Sequence, residues 1–124
     1  MESPLSPDPA AGHEPFDRPS LMERLLEDED LVRELVDAFL DDTPGQLSAL
    51  EAAFAGGDIL QTERLAHRIK GSAANLSACR LQQVAQALEL IARAGNREEA
   101  AKLVPLMAGE FLRAKEAMLA SRSS

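Results

Sequence analysis

Residues 59–94 read ILQTERLAHRIKGSAANLSACRLQQVAQALELIARA, and they carry the clearest helical pattern in the sequence. Its apolar residues recur every three or four positions, which is the spacing of an amphipathic helix. The pattern predicts one helix at about 59–75 and another at about 79–94, with a tight turn near Ser77 between them. Because so short a connection places two helices of this length side by side, the stretch predicts an antiparallel hairpin.

The helical spacing continues toward both ends of the chain. Ser20 followed by Glu23 is a capping-box pattern, which predicts a short first helix at roughly 20–27. A second helix is expected from near residue 30, and Pro44 should kink or interrupt it because proline cannot donate to the preceding turn. The last helix follows Gly95 and runs to about residue 120.

This last helix is expected to bend at Pro105. Alternating segments rich in Val, Ile and Thr, which would indicate strands, are absent from the sequence. The predicted fold is therefore all-α: an antiparallel up-and-down four-helix bundle with a short extra N-terminal helix.

The composition divides the chain into two regions. Five of the seven prolines lie in the first 19 residues, so residues 1–19 are predicted to be a flexible leader. Residues 20–121 are predicted to form the helical domain. The whole chain of 124 residues is the length of one domain, and a bundle of this size buries its own core, so a monomer is expected.

The charge and residue types exclude several functions. A net charge of −8, with no Tyr and no Trp, argues against nucleic-acid binding, which needs cations and stacking surfaces. No apolar run is long enough for a membrane helix and no signal sequence is present, so a cytoplasmic protein is expected. Cys79, the single cysteine, excludes an internal disulfide and is interpreted as packing.

Two histidines are available for chemistry, and only one of them has an informative position. His13 lies in the leader. His67 lies roughly 180° around the predicted helix from the apolar spine of Leu65, Ile69 and Leu76, so its ring is expected to face water. The alternative is an exposed histidine with no role.

The neighbours of His67 argue against that alternative. Gly71 is in mid-helix, where it costs about 1 kcal/mol relative to alanine, and the loss of bulk beside an exposed imidazole would explain it. Lys70 is one turn away, within reach of an anion on the ring. Residues 64–88 carry a charge of +4 while the rest of the chain carries −12. The segment thus suggests contact with phosphate or an acidic partner.

The sequence AHRIKGSAAN at residues 66–75 resembles the signature of histidine-containing phosphotransfer (HPt) domains, Ala-His-x-Leu-Lys-Gly-Ser. The resemblance extends over about residues 20 to 110. Residues 31–44 are similar to the family's helix that ends in Phe-Leu-x-x-Thr-Pro, and residues 81–89 to its following helix, which commonly ends in Leu-Glu. One departure is Ser77, where the family usually has glycine.

The resemblance implies a phosphorelay carrier without an ATP site of its own. In such a protein His67 would accept a phosphoryl group from a receiver-domain aspartate and pass it to the aspartate of another receiver. Lys70 would stabilise the phosphate charge and Gly71 would give steric access. No cofactor would be bound by this chain, since the receivers supply Mg²⁺.

Further residues are assigned more specific roles. Arg64, Arg68 and Ala74 are predicted to contact the partner receiver. A hairpin that turns near residue 77 brings Glu89 level with His67, where the family often has an acid or amide that could orient the imidazole. The alternative for Glu89 is a solvated boundary residue.

The sequence argues against other functions that helical bundles perform. Glu63 and His67 have the wrong spacing for the Glu-x-x-His motif of a di-iron site, and the helical body offers no second histidine for another metal or haem site. One cysteine with two histidines does not make a zinc site. The chain is too short to be a complete histidine kinase, because it has no room for a nucleotide-binding domain. A non-catalytic helical adaptor, which binds receiver or kinase domains without carrying phosphate, stays open as the alternative.

Overall fold

The computed structural model describes residues 8–122, and every regular element in that part of the chain is an α-helix. The helices, in chain order, are α1 (Arg18–Arg24), α2 (Glu29–Ala55), α3 (Ile59–Asn75), α4 (Cys79–Arg93) and α5 (Arg97–Arg122). Short connections join each of the four long helices, α2, α3, α4 and α5, to the next one in the chain. This arrangement confirms the predicted antiparallel four-helix bundle with a short extra N-terminal helix. No helix within these residues is long and apolar enough to cross a membrane.

The core lies where α3 packs on α2 and α4, and where α5 packs on α4 and α2. The spine residues Leu65, Ile69 and Leu76 are buried, as their spacing predicts. At the junction of α2 and α5 the rings of Phe39 and Phe111 have centroids 5.6 Å apart in a tilted arrangement. The buried side chains thus come from all four long helices, and α3 and α4 form one side of the bundle.

The long helices continue through their prolines. Of the kink or interruption predicted at Pro44, the interruption is absent, because α2 is one helix on both sides of the proline. A proline removes one backbone hydrogen bond, but Phe39 and Leu47 are buried in the turns before and after Pro44. Their burial stabilises the helix where its own backbone is weakest. α5 likewise extends through Pro105.

The first helix begins and ends earlier than predicted. Its N-cap is Asp17 rather than Ser20, because the Asp17 carboxylate accepts a hydrogen bond from the Ser20 backbone N–H at 3.1 Å. The helix ends at Arg24, before Leu26 and Glu27, whose φ angles of 55° and 63° are left-handed. Two consecutive left-handed residues cannot continue a right-handed helix.

The N-terminal segment differs from the flexible leader that composition predicts. The first seven residues of that leader lie outside the described part of the chain. Residues 8–17, in contrast, contact the bundle: Ala10 is fully buried and its carbonyl accepts a hydrogen bond from Arg80 Nη1 at 3.0 Å. Arg80 also pairs with the buried Glu110, with Nε 2.9 Å from Oε1. The packed domain therefore starts before residue 20.

The turn between α3 and α4 sets the register of the hairpin. Ala78 N–H donates to the carbonyl of Ala73 at 2.9 Å and Ser77 N–H to that of Ala74 at 3.2 Å, which is the Schellman arrangement. Ser77 occupies the left-handed position, with φ 56°, where glycine is usual. Its hydroxyl is held by the Arg24 guanidinium. Serine therefore forms the same turn that glycine would form.

Candidate functional site

The candidate site is centred on His67, in the middle of α3. The buried residues Leu65, Ala66 and Ile69 fix the inward face of this helix, and the His67 side chain on the opposite face is 67% exposed. The ring therefore faces water, as its helical position predicts. An exposed imidazole in mid-helix is accessible to the surface of another molecule.

Glu89 of α4 contacts the His67 ring through a hydrogen bond. The antiparallel register brings the Glu89 Oε2 atom within 2.8 Å of His67 Nδ1. The Glu89 side chain is only 5% exposed, which excludes the alternative of a solvated boundary glutamate. A buried carboxylate is costly unless it is paired, so its position beside the ring requires compensating cations.

Two cations supply that compensation. Lys70 Nζ forms an ion pair with Glu89 Oε1 at 2.7 Å, and Arg93 Nη2 donates to Glu89 Oε2 at 2.9 Å. Burial by itself would raise the pKa of Glu89, but the contacts with Lys70 and His67 outweigh it and lower the pKa below the ordinary value of 4.5. Glu89 is therefore an ionised carboxylate at neutral pH.

The charge of Glu89 decides which nitrogen of the ring is reactive. An ionised carboxylate accepts hydrogen bonds and cannot donate one, so the proton of the neutral ring lies on Nδ1. The lone pair is then on Nε2, the nitrogen that does not contact Glu89. The geometry presents a neutral imidazole as a nucleophile, with its rear nitrogen fixed by a buried acid.

The sequence did not predict that Arg93 and Glu63 take part in the site. Arg93 connects Glu89 to a second acid, since its Nε donates to Glu63 Oε2 at 2.9 Å. Glu63 is one turn before His67 on α3, and Arg93 is one turn after Glu89 on α4. Such i, i+4 spacing was a usable signal, but only the hairpin register shows that the two turns meet.

Gly71 and the predicted partner-binding residues lie along the exposed face of α3. Arg64 and Arg68 are exposed and line a shallow depression together with His67. A Cβ atom added to Gly71 would meet nothing within 4 Å, so packing inside the chain does not require a glycine there. Ala74 is half-buried near the end of the helix, and its carbonyl accepts a hydrogen bond from Arg24 at 3.4 Å.

Not all the cations of the basic segment, residues 64–88, lie on the same face of the bundle as His67. Arg80 contributes to the +4 charge of residues 64–88, but it faces the N-terminal segment and pairs with Glu110 and Asp8. Its charge is therefore not part of the His67 face. His13, the other histidine, lies in that same N-terminal segment, where its carbonyl accepts a hydrogen bond from Arg80.

A likeness to known proteins agrees with this geometry. The family of Hpt domains matches residues 34–121, which is more than two thirds of the chain. The crystal structure of histidine-containing phosphotransfer protein B (HptB) from Pseudomonas aeruginosa PAO1 is 30% identical, with a TM-score of 0.80 over 91% of this chain and 96% of that one. No curated protein matches the chain.

The fold and these matches define the class as a histidine phosphotransfer protein, a carrier in phosphorelays. The chain belongs to the Hpt domain family.

Proposed function

We propose that His67 accepts a phosphoryl group from the aspartyl phosphate of one receiver domain and passes it to the aspartate of another. The observation that carries this proposal is the Glu89 contact, which holds the proton on Nδ1 and so leaves the lone pair on Nε2 of a ring that is mostly exposed. No other histidine among residues 8–122 has a carboxylate on its ring.

The transfer step balances without a further reagent. The Nε2 lone pair forms a bond to phosphorus, the bond between phosphorus and the aspartyl oxygen breaks, and the aspartate leaves as a carboxylate. The proton on Nδ1 stays in place, so the phosphorylated ring carries positive charge. Glu89, 2.8 Å away, stabilises that charge as it develops. The reverse reaction delivers the group to the second receiver.

The surrounding residues support the partner's approach. Lys70 has three donor hydrogens and uses one side of its ammonium for Glu89, which leaves donors for a phosphoryl oxygen. Gly71 lets a receiver surface approach one turn from His67 without meeting a side chain. The Mg²⁺ ion that phosphoryl transfer requires is supplied by the receiver with its own acidic ligands. Arg64 and Arg68 attract that acidic surface, and Ala74 contacts it at the far end of the helix face.

The proposal is tested by phosphate uptake from a purified, phosphorylated receiver. We expect His67→Gln to abolish acid-labile, base-stable labelling, whereas His13→Gln is labelled like the unmodified chain. The two variants remove the same group from positions with and without Glu89. Labelling that persists in His67→Gln would rule out this assignment.

Receiver binding separates the carrier from the adaptor alternative. If the unmodified chain binds receivers but is not labelled under any transfer condition, the adaptor function replaces the proposed one. For the docking face, we expect Arg64→Glu and Arg68→Glu to weaken receiver binding more at low salt than at high salt, because exposed charges are screened. Arg33→Glu on α2 is the matched control.

A further inference from the structure

Arg93 occupies an unusual place in the site, because it bridges two carboxylates without touching the ring. Its Nη2 lies 2.9 Å from Glu89 Oε2, and its Nε lies 2.9 Å from Glu63 Oε2. The Glu89 oxygen that it contacts is the same atom that accepts from His67 Nδ1. Arg93 and His67 therefore share one oxygen of a buried acid.

The contact between Glu89 and His67 has two opposing effects on the reactivity of the ring. A buried carboxylate at 2.8 Å orients the imidazole, but it also favours the protonated ring by opposite-charge attraction. A protonated imidazole donates from both nitrogens and has no lone pair on Nε2. A carboxylate contact of this kind orients the reactive nitrogen, but its charge, if unbalanced, favours the form of the ring that has no lone pair on Nε2.

The cations paired with the two carboxylates of the site offset the pull of Glu89 on the ring proton. Glu63 and Glu89 contribute two negative charges, and Lys70 and Arg93 contribute two positive charges. Without Arg93, both carboxylates would be balanced by Lys70 alone, and the group beside His67 would carry one net negative charge.

The two other cations beside the ring, Arg64 and Arg68, disfavour its protonation in the same way as Arg93. The depression around His67 is lined, within the described residues, by side chains of α3 and α4 only: Glu63, Arg64, His67, Arg68, Glu89 and Arg93. Arg64 and Arg68 are exposed and not paired with Glu89, so water screens them more strongly than the contacting pair. No α2 side chain lines this depression in residues 8–122.

We propose that Arg93 is a positioning residue that keeps His67 neutral and therefore nucleophilic, by balancing the charge of the carboxylate that orients the ring. The proposal rests on the proposed function, in which the neutral ring accepts phosphate. Arg93 acts through Glu89 and makes no contact with the phosphoryl group.

The ring titration of Arg93→Gln tests the charge balance without any phosphoryl donor. By NMR, we expect the midpoint of the His67 titration to move up by about half a pH unit relative to the unmodified chain, a modest shift because both side chains are largely exposed. His13 provides an internal reference that stays unchanged. Arg97→Gln, which removes an exposed cation at the start of α5, should leave both rings unchanged.

Phosphate uptake provides the second measurement. We expect Arg93→Gln to take up phosphate about threefold more slowly at pH 6 and normally at pH 8, because a half-unit shift lowers the neutral fraction below the titration midpoint and has almost no effect well above it. Rates are compared with the unmodified chain at each pH, using the same phosphorylated receiver. A purely structural role for Arg93 would lower the rate equally at both pH values.

Two further variants separate charge from shape. Arg93→Lys keeps the charge, and Glu63→Gln combined with Arg93→Gln restores the balance by removing one charge of each sign. Both should return the pH profile toward that of the unmodified chain. The proposal is overturned if Arg93→Gln titrates normally, or if Arg93→Lys behaves like Arg93→Gln. Failure of the proposed function would instead appear as labelling of His67→Gln, or as an unmodified chain that is not labelled at all.

Discussion

Glu89 Oε2 lies 2.8 Å from Nδ1 of His67, and the two residues are on different helices, 22 positions apart in the chain. The contact joins a side chain that is almost fully buried to one that is mostly exposed. It places a negative charge beside Nδ1 and leaves Nε2 without a contact to Glu89. The site is therefore built between α3 and α4, although its reactive atom is presented by α3.

The first prediction concerns Glu89 and acid. Because the pKa of Glu89 is lowered in the folded state, its contribution to stability is fully present above its ordinary pKa of 4.5 and is lost as the pH falls through the lower folded value. We expect Glu89→Gln to be less stable than the unmodified chain at pH 7, with a difference that shrinks below pH 4.5. Urea unfolding across this range measures both curves. A difference that is independent of pH would contradict the assignment.

The second prediction is that replacing Gly71 has opposite effects on stability and on phosphate uptake. Gly71→Ala should stabilise the chain by about 1 kcal/mol, since alanine is the better helix former and its Cβ meets nothing. The same methyl group should slow phosphate uptake from a receiver. Gly109→Ala in α5 is the matched control, because its Cβ also meets open space and it should stabilise without slowing transfer. Equal transfer rates in the two variants would exclude steric access as the role of Gly71.

Ser77 tests the cost of a left-handed residue in the hairpin turn. Ser77→Ala and Ser77→Gly both remove the hydroxyl that Arg24 holds, so the difference between them isolates the backbone. We expect Ser77→Gly to be more stable than Ser77→Ala by about 1 kcal/mol, because glycine adopts a positive φ without strain. Urea unfolding measures the difference, and phosphate uptake should be unchanged in both. Equal stabilities would show that the turn relaxes to another conformation.

Arg80 should be important for stability and not for transfer. Arg80→Ala removes the main partner of Glu110, which is buried, and releases the carbonyl of Ala10. We expect a loss of about 3 kcal/mol, typical of breaking a buried pair on one side. Lys102→Ala, which breaks an exposed pair with Glu99, should have no measurable effect. Thermal unfolding compares the two variants, and an equally small loss in both would mean that Arg80 does not hold the segment.

Much of the fold follows from local patterns. The α3 helix matches its predicted limits because Asp58 caps its start and apolar residues mark its inward face. The interruption at Pro44 is absent for a tertiary reason, since residues such as Phe39 gain more from burial in a continuous helix than the missing hydrogen bond costs. The same reason explains the N-terminal segment, whose polar and proline-rich composition does not reveal that Ala10 is buried.

The sequence by itself determined the helices and the exposure of His67, because both depend on spacing along one helix and on the chemistry of single residues. The tertiary structure alone decided that Glu89 is buried and that Arg93 and Lys70 share its charge. It also assigned Arg80 to the N-terminal segment rather than to the His67 face. Such pairings depend on the register between helices, which is set by a turn and by side-chain packing across the bundle. A linear pattern of charges does not contain that register.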